Sequence, residues 1–181
     1  MTSDVALNGT GFIYDNLSLK NIRIYLFSFL FVIGNIALPY LCHSIPNGGK
    51  IFLPIYFFTL IASYKFGLRT GLLTAVISPF ANYFLLGMPP ANMLIPVIGN
   101  SALIALAASF IASRTGRLSI LLIAAVIISQ QAAFALISII LGTSYNVIAN
   151  SIKLAIPGML LQVFGGYLLL RALKGYGIKN S

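Results

Sequence analysis

The fold is decided by residues 118–141, LSILLIAAVIISQQAAFALISIIL, a run of 24 residues without a charged side chain. An α-helix rises about 1.5 Å per residue, so about 20 apolar residues cross the ~30 Å hydrocarbon core of a bilayer. The run therefore predicts a transmembrane helix, with Gln130 and Gln131 near its middle.

Five more apolar segments accompany this one, and together they predict an all-α integral membrane bundle of six transmembrane helices. The segments cover residues 22–41, 51–64, 70–88, 91–112, 118–141 and 151–173, the last beginning at 151 or 152. All but the second are long enough to cross a bilayer. The second is short, which is typical of a tilted or partly re-entrant helix.

The composition excludes a soluble protein. Of the 181 residues, 59% are hydrophobic and 7% are charged, whereas an average soluble domain has about 25% charged residues. The single cysteine excludes a disulfide scaffold. The net charge of +9 comes from cations that lie singly or in pairs between apolar segments. This pattern lacks the basic stripe of a nucleic-acid-binding protein and favours the lipid bilayer as the partner.

The cations divide unequally between the two sides of a chain that crosses six times. Nine of the 11 would lie on one side: Lys20, Arg23, Lys65, Arg69, Arg114, Arg117, Arg171, Lys174 and Lys179. Only Lys50 and Lys153 would lie on the other. Because cytoplasmic loops carry the excess of Lys and Arg, we predict a multi-pass protein of the cell membrane with both termini in the cytoplasm. Residues 1–19 are then a cytoplasmic tail, and residues 20–181 form one transmembrane domain.

The sequence lacks the residues that most catalytic or ion-coupled mechanisms need. Both acidic residues, Asp4 and Asp15, precede the first segment, so no segment holds the carboxylate relay of a proton- or sodium-driven carrier. Neither a Walker-type loop nor a cluster of metal ligands is present. We therefore expect no catalytic activity, no cofactor and no metal, and we expect another subunit to supply the energy for any uphill transport.

Polar residues within or beside the outer halves of the segments are the candidates for substrate binding. They are His43, Asn82, Tyr83, Asn92, Asn100, Gln131, Tyr145, Asn146, Asn150, Lys153 and Gln162. Two interpretations stay open for each amide, because Asn or Gln in a membrane helix bonds either a neighbouring helix or a ligand. Lys153 likewise reaches either the lipid headgroups or an anionic ligand. Amides, hydroxyls and one cation favour a neutral or anionic substrate.

The first segment also carries small residues that let helices approach closely. Ser28, Gly34 and Ala37 are candidates for a groove that docks a partner helix. Packing inside the bundle is the alternative.

Several short motifs follow one another in a familiar order: GNIALPY at 34–40, IFLPIY at 51–56, YKFGLRTGL at 64–72, SPF at 78–80 and GMPP at 87–90. With six segments in 181 residues, this layout resembles the substrate-binding S components of energy-coupling factor (ECF) vitamin transporters. The resemblance extends over roughly residues 22–173.

The resemblance implies a six-helix subunit that captures a vitamin or related micronutrient from outside. In that family the subunit docks on a transmembrane coupling subunit joined to two ATPase subunits, topples in the membrane and delivers its ligand to the cytoplasm. The docking face on the first helix is only partly matched, since Phe27, Phe29 and Phe31 interleave with the small residues. Two alternatives remain: a structural or assembly protein of the membrane, and a self-sufficient small-solute carrier.

Overall fold

A computed structural model describes residue 12 and residues 14–42 and 54–175. Within these ranges the chain is helical and has no strand. The helices are α1 (Ile22–Cys42), α2 (Phe57–Phe66), α3 (Leu68–Leu86), α4 (Ala91–Thr115), α5 (Ile120–Ile140) and α6 (Tyr145–Ala172), with a 3₁₀ turn at Pro54–Tyr56 before α2. The all-α prediction is confirmed for this part of the chain.

Four of the helices are long and apolar enough to cross a membrane. They are α1, counted over Ile22–Leu41, and α4, α5 and α6 over their full lengths. The 10-residue α2 and the 19-residue α3 fall outside this group. The structure therefore supports a multi-pass membrane protein, and the count of six crossings stays a prediction.

The short helix α2 lies at the centre of the bundle. Nine of its 10 residues are buried, and Phe58 is the exception. Helices α1, α3, α4, α5 and α6 follow one another around it, each packed against the next. The buried residues of α2 include the polar Thr59, Ser63 and Lys65, so this helix contributes polar groups as well as apolar ones to the interior.

Close backbone approach holds α2 in place. A Cβ atom on Gly71 of α3 would overlap the side chain of Ser63, so the Ser63 side chain packs directly on the α3 backbone at this glycine. On the opposite side, Cβ atoms on Gly165 and Gly166 of α6 would lie 3.1 Å from Phe57 and Leu60. Lipid tails are as apolar as a protein core, so this kind of packing stabilises a membrane bundle more than burial from water does.

The chain turns sharply between α2 and α3 at Gly67. Its φ of 88° lies in a region that side chains other than glycine rarely adopt, and its N–H donates to the Ser63 carbonyl at 3.1 Å. A Cβ atom here would also lie 2.9 Å from Oδ1 of Asn16. The turn is therefore shaped by the N-terminal tail as well as by its own backbone.

The described part of the tail packs against the end of α2. Phe12 and Leu17 are buried, and the Asp15 N–H donates to the Lys65 carbonyl at 2.9 Å. The Asp15 carboxylate lies 3.1 Å from the Lys65 ammonium, whose side chain is fully buried. Tyr14 shares a hydroxyl hydrogen bond of 3.0 Å with Ser109 of α4. These contacts make residue 12 and residues 14–17 a strap across one end of the bundle.

Successive helices run antiparallel, so the bundle has two distinct ends. We call the end where α1 begins and α6 finishes the basic end, because Lys20, Arg23, Arg171 and Lys174 lie there. The strap also lies at this end. We call the opposite end, where α1, α3 and α5 finish, the distal end.

Candidate ligand-binding site at the distal end

Two clusters of buried polar side chains lie toward the distal end. The first, the Asn35 cluster, joins α1, α2 and α3 through Asn35, Thr59, Ser78 and Asn82. The second, the Asn100 cluster, joins the 3₁₀ turn, α4 and α5 through Tyr56, Asn100 and Gln130. Because each cluster draws on three elements, the fold rather than any local motif creates it.

Asn35 is fully buried and uses its whole amide. Its Nδ2 donates to the hydroxyls of Thr59 and Ser78, both at 3.1 Å. Its Oδ1 accepts the N–H of Phe58 at 3.0 Å. The Phe58 N–H belongs to the first turn of α2 and has no carbonyl partner within that helix, so Asn35 supplies the missing acceptor.

Asn82 is also buried, yet its amide is only half used. Its Nδ2 donates to the carbonyls of Asn35 at 2.9 Å and Ser78 at 2.8 Å. Its Oδ1 has no hydrogen-bond partner among the described residues. A buried acceptor left in this state costs about 1–3 kcal/mol, so it requires an explanation. A hydrogen-bond donor on a bound ligand would pair with this oxygen and so explain it.

The Asn100 cluster provides a second set of neutral groups. Gln130 donates from Nε2 to Oδ1 of Asn100 at 3.2 Å, and a side-chain hydrogen bond joins Asn100 to Tyr56. The next residue on α4, Ser101, is fully buried. Its hydroxyl has no hydrogen-bond partner within the described ranges. Ser101, beside the cluster in sequence, thus adds a second buried polar atom without a partner among the described residues toward the same end of the molecule.

The sequence-predicted binding residues fall into groups by exposure. Asn82 and Gln162 are buried, and Tyr83, Asn100 and Gln131 are half-buried. Asn92, Tyr145, Asn146, Asn150 and Lys153 are exposed on the first turns of α4 and α6. His43 lies outside the described residues. The structure therefore joins Asn82 and Asn100 to buried clusters and leaves the exposed group on the surface.

The residues predicted to dock a partner helix also differ in position. The Ser28 hydroxyl donates to the Thr70 carbonyl of α3 at 3.4 Å, inside the bundle. Gly34 faces Phe58, since a Cβ atom would lie 2.6 Å from that ring. Ala37 is exposed. Docking through this helix stays a prediction.

Comparison with protein-family models, curated proteins and solved structures found no match. The chemistry of the site at the distal end is therefore the guide to function. Its buried members are amides and hydroxyls, which donate and accept hydrogen bonds but do not ionise in the physiological pH range. Such a set suits recognition of a neutral polar group.

Sequence reasoning missed several members of the two clusters. Asn35, Tyr56, Thr59, Ser78 and Gln130 were not among the predicted binding residues, although each contributes a polar contact here. A signal was present for Asn35, because a polar side chain within an apolar span is itself unusual. Gln130 and Gln131 are adjacent and equally polar, and only the packing of α5 separates the buried one from the half-buried one.

Proposed function

We propose that this chain is the substrate-binding S component of an ECF-type importer for a vitamin or related micronutrient. In this proposal all six helices cross the cell membrane and both termini are cytoplasmic. The distal end then faces outside and receives the ligand. A transmembrane coupling subunit and two ATPase subunits supply the energy, and the chain itself is not an enzyme.

The observation that carries the proposal is a pair of buried polar atoms toward the distal end, Oδ1 of Asn82 and Oγ of Ser101, that have no hydrogen-bond partner in the part of the chain that the structure describes. A protein that only needed to hold its helices together would gain from pairing or removing them. A receptor leaves such atoms unpaired until its ligand arrives. The absence of any acidic residue after Asp15 in the sequence supports an external energy source.

The orientation is supported by charge. Lys20, Arg23, Arg171 and Lys174 lie at the basic end, where the tail also packs. The excess of Lys and Arg on the cytoplasmic side of membrane proteins favours that end as the inner one.

Ligand retention tests the proposal directly. The protein is purified from cells grown in rich medium, and small molecules released by denaturation are identified by mass spectrometry. We expect a single vitamin-like compound, and we expect the same compound to raise the melting temperature of ligand-free protein. An empty protein with no thermal response across a vitamin panel would contradict the proposal.

Variants of the two clusters locate the site. Asn82→Leu and Gln130→Leu each remove hydrogen-bonding groups, and we expect each to weaken binding by about tenfold or more, equivalent to about 1.4 kcal/mol. Ser129→Ala is the matched control, since Ser129 precedes Gln130, is exposed and donates only to the Val126 carbonyl of its own helix. Equal losses in all three variants would argue against this site.

The structural alternative has one observation in its favour. Every polar atom of the Asn35 amide is bonded within the bundle, as expected of a residue that only joins helices. If the cluster variants lower the melting temperature while ATP-dependent uptake by the assembled transporter stays unchanged, the structural function is correct. Uptake by the reconstituted chain alone would instead indicate a self-sufficient carrier.

A further inference from the structure

An apolar groove opens on the outside of the bundle between α1 and α6. These two helices both pack on α2 but make at most marginal contact with each other among the described residues. The groove between them has a volume of about 430 Å³. Its lining includes Phe27, Leu30 and Phe31 of α1, Phe58 and Phe66 of α2, Leu169 of α6 and Leu173 directly after α6.

The floor of the groove is formed by aromatic rings that are fixed in place. Phe66 stacks on Phe27 with centroids 4.3 Å apart, and Phe31 lies 5.7 Å from Phe66 and 6.2 Å from Phe58. Gly34 is needed for this arrangement, because a side chain there would collide with the Phe58 ring. From Phe58 to Phe66 the floor extends about 12 Å along α2.

The lining of the groove favours an apolar, elongated occupant. It consists of aromatic and aliphatic side chains, and its floor extends about 12 Å along α2. The acyl chain of a membrane lipid matches both this lining and this length.

The position of the groove adds a charge argument. Phe27 lies one helical turn beyond Arg23, and Leu173 directly precedes Lys174. The groove therefore opens toward the basic end, where Lys20 and Arg171 are exposed. Cations beside an apolar groove match a phosphate headgroup attached to an acyl chain.

We infer that this groove binds one anionic phospholipid, with an acyl chain over the rings of Phe58 and Phe66 and the headgroup beside Arg171 and Lys174. The site is distinct from the ligand site at the distal end and does not depend on the S-component proposal. An anionic lipid is available on the cytoplasmic side of the membrane, which is the side proposed for the basic end.

Native mass spectrometry tests this inference. The protein is reconstituted in vesicles of equal parts POPC and POPG, extracted in mild detergent and examined for retained lipid. We expect one POPG per chain and little POPC. Leu30→Trp fills the groove from its rim and should lower POPG retention at least tenfold. Leu26→Trp is the matched control on α1, because Leu26 is 66% exposed and Leu30 59% exposed, and only Leu30 lines the groove.

Three further variants and one control keep the test decisive. If Leu30→Trp fails to fold, Leu30→Gln makes the same rim polar without adding bulk, and the same loss is expected. Arg171→Gln and Lys174→Gln should each lower the preference for POPG over POPC by roughly five-fold, whereas Arg114→Gln in the last turn of α4, a helix that does not line the groove, should not. Equal retention of both lipids, equal loss in the Leu26 control, or a second protein copy in place of lipid would overturn the inference.

Discussion

Removing the acidic partner of Lys65 should destabilise the protein more than most single substitutions. In Asp15→Asn the Lys65 ammonium stays fully buried but loses the carboxylate that lies 3.1 Å away. Breaking a buried ion pair by removing one partner costs about 3–5 kcal/mol. The rings of Phe12 and Phe66, centred 5.4 and 5.9 Å from the ammonium, remain as cation–π partners. We therefore expect a loss near the lower limit, about 3 kcal/mol.

The loss is measured by thermal unfolding in detergent, followed by circular dichroism. For a chain of this size 1 kcal/mol corresponds to about 2–4 °C, so the melting temperature should fall by about 6–12 °C. Lys153→Met removes an exposed cation and is the control. This substitution should change the melting temperature little.

A double variant separates the ion pair from other effects of the substitution. Asp15→Asn with Lys65→Met removes both charges and fills the lysine site with an apolar chain, and such replacements are often neutral or stabilising. We expect the double variant to regain most of the lost stability. If Asp15→Asn lowered the melting temperature by less than about 2 °C, the account of the strap would be refuted. A double variant no more stable than Asp15→Asn alone would refute it as well.

Two more predictions concern packing and topology. Gly71→Ala should lower the free energy of unfolding by about 1–3 kcal/mol, because the added Cβ would overlap Ser63. Gly99→Ala is the control, since open space surrounds Gly99. In the same unfolding assay this substitution should be neutral or slightly stabilising. In a background without the native cysteine, Arg117→Cys should react with a membrane-impermeant thiol reagent only from the cytoplasmic side and Thr143→Cys only from outside. Labelling of both from one side would contradict the six-crossing topology.

Apolar length predicted the helices well, but it did not predict which helix would be central. The second segment was expected at 51–64 and lies at Phe57–Phe66, preceded by a 3₁₀ turn. Its shortness indicated a tilted or re-entrant helix from the sequence, whereas the structure shows a central helix packed against α1, α3, α4 and α6. Hydropathy measures only how apolar a segment is. A lipid-facing helix and a central helix of a membrane bundle have similar hydropathy, so hydropathy does not identify the central one.

The tail shows a different limit. Asp15 and Lys65 are both conspicuous in a chain with 2 acidic residues, yet they are 50 positions apart and no periodicity joins them. The same holds for Asn35 and Asn82, which meet only because α1 and α3 pack side by side. Polar residue types are visible in the sequence, but their pairing is a property of the assembled bundle.

The described bundle keeps its buried ion pair at the basic end, and the polar side chains buried toward the distal end are all neutral. The Asp15–Lys65 pair lies at the basic end, while the groups buried toward the distal end are amides and hydroxyls. A buried charge must be neutralised by a fixed partner, so it would bind a ligand only by giving that partner up. Neutral groups carry no such constraint, and an unpaired one penalises any ligand that lacks the matching hydrogen-bonding group. This separation lets the distal end discriminate among small polar molecules without a charge of its own in the core, as the proposed receptor function requires.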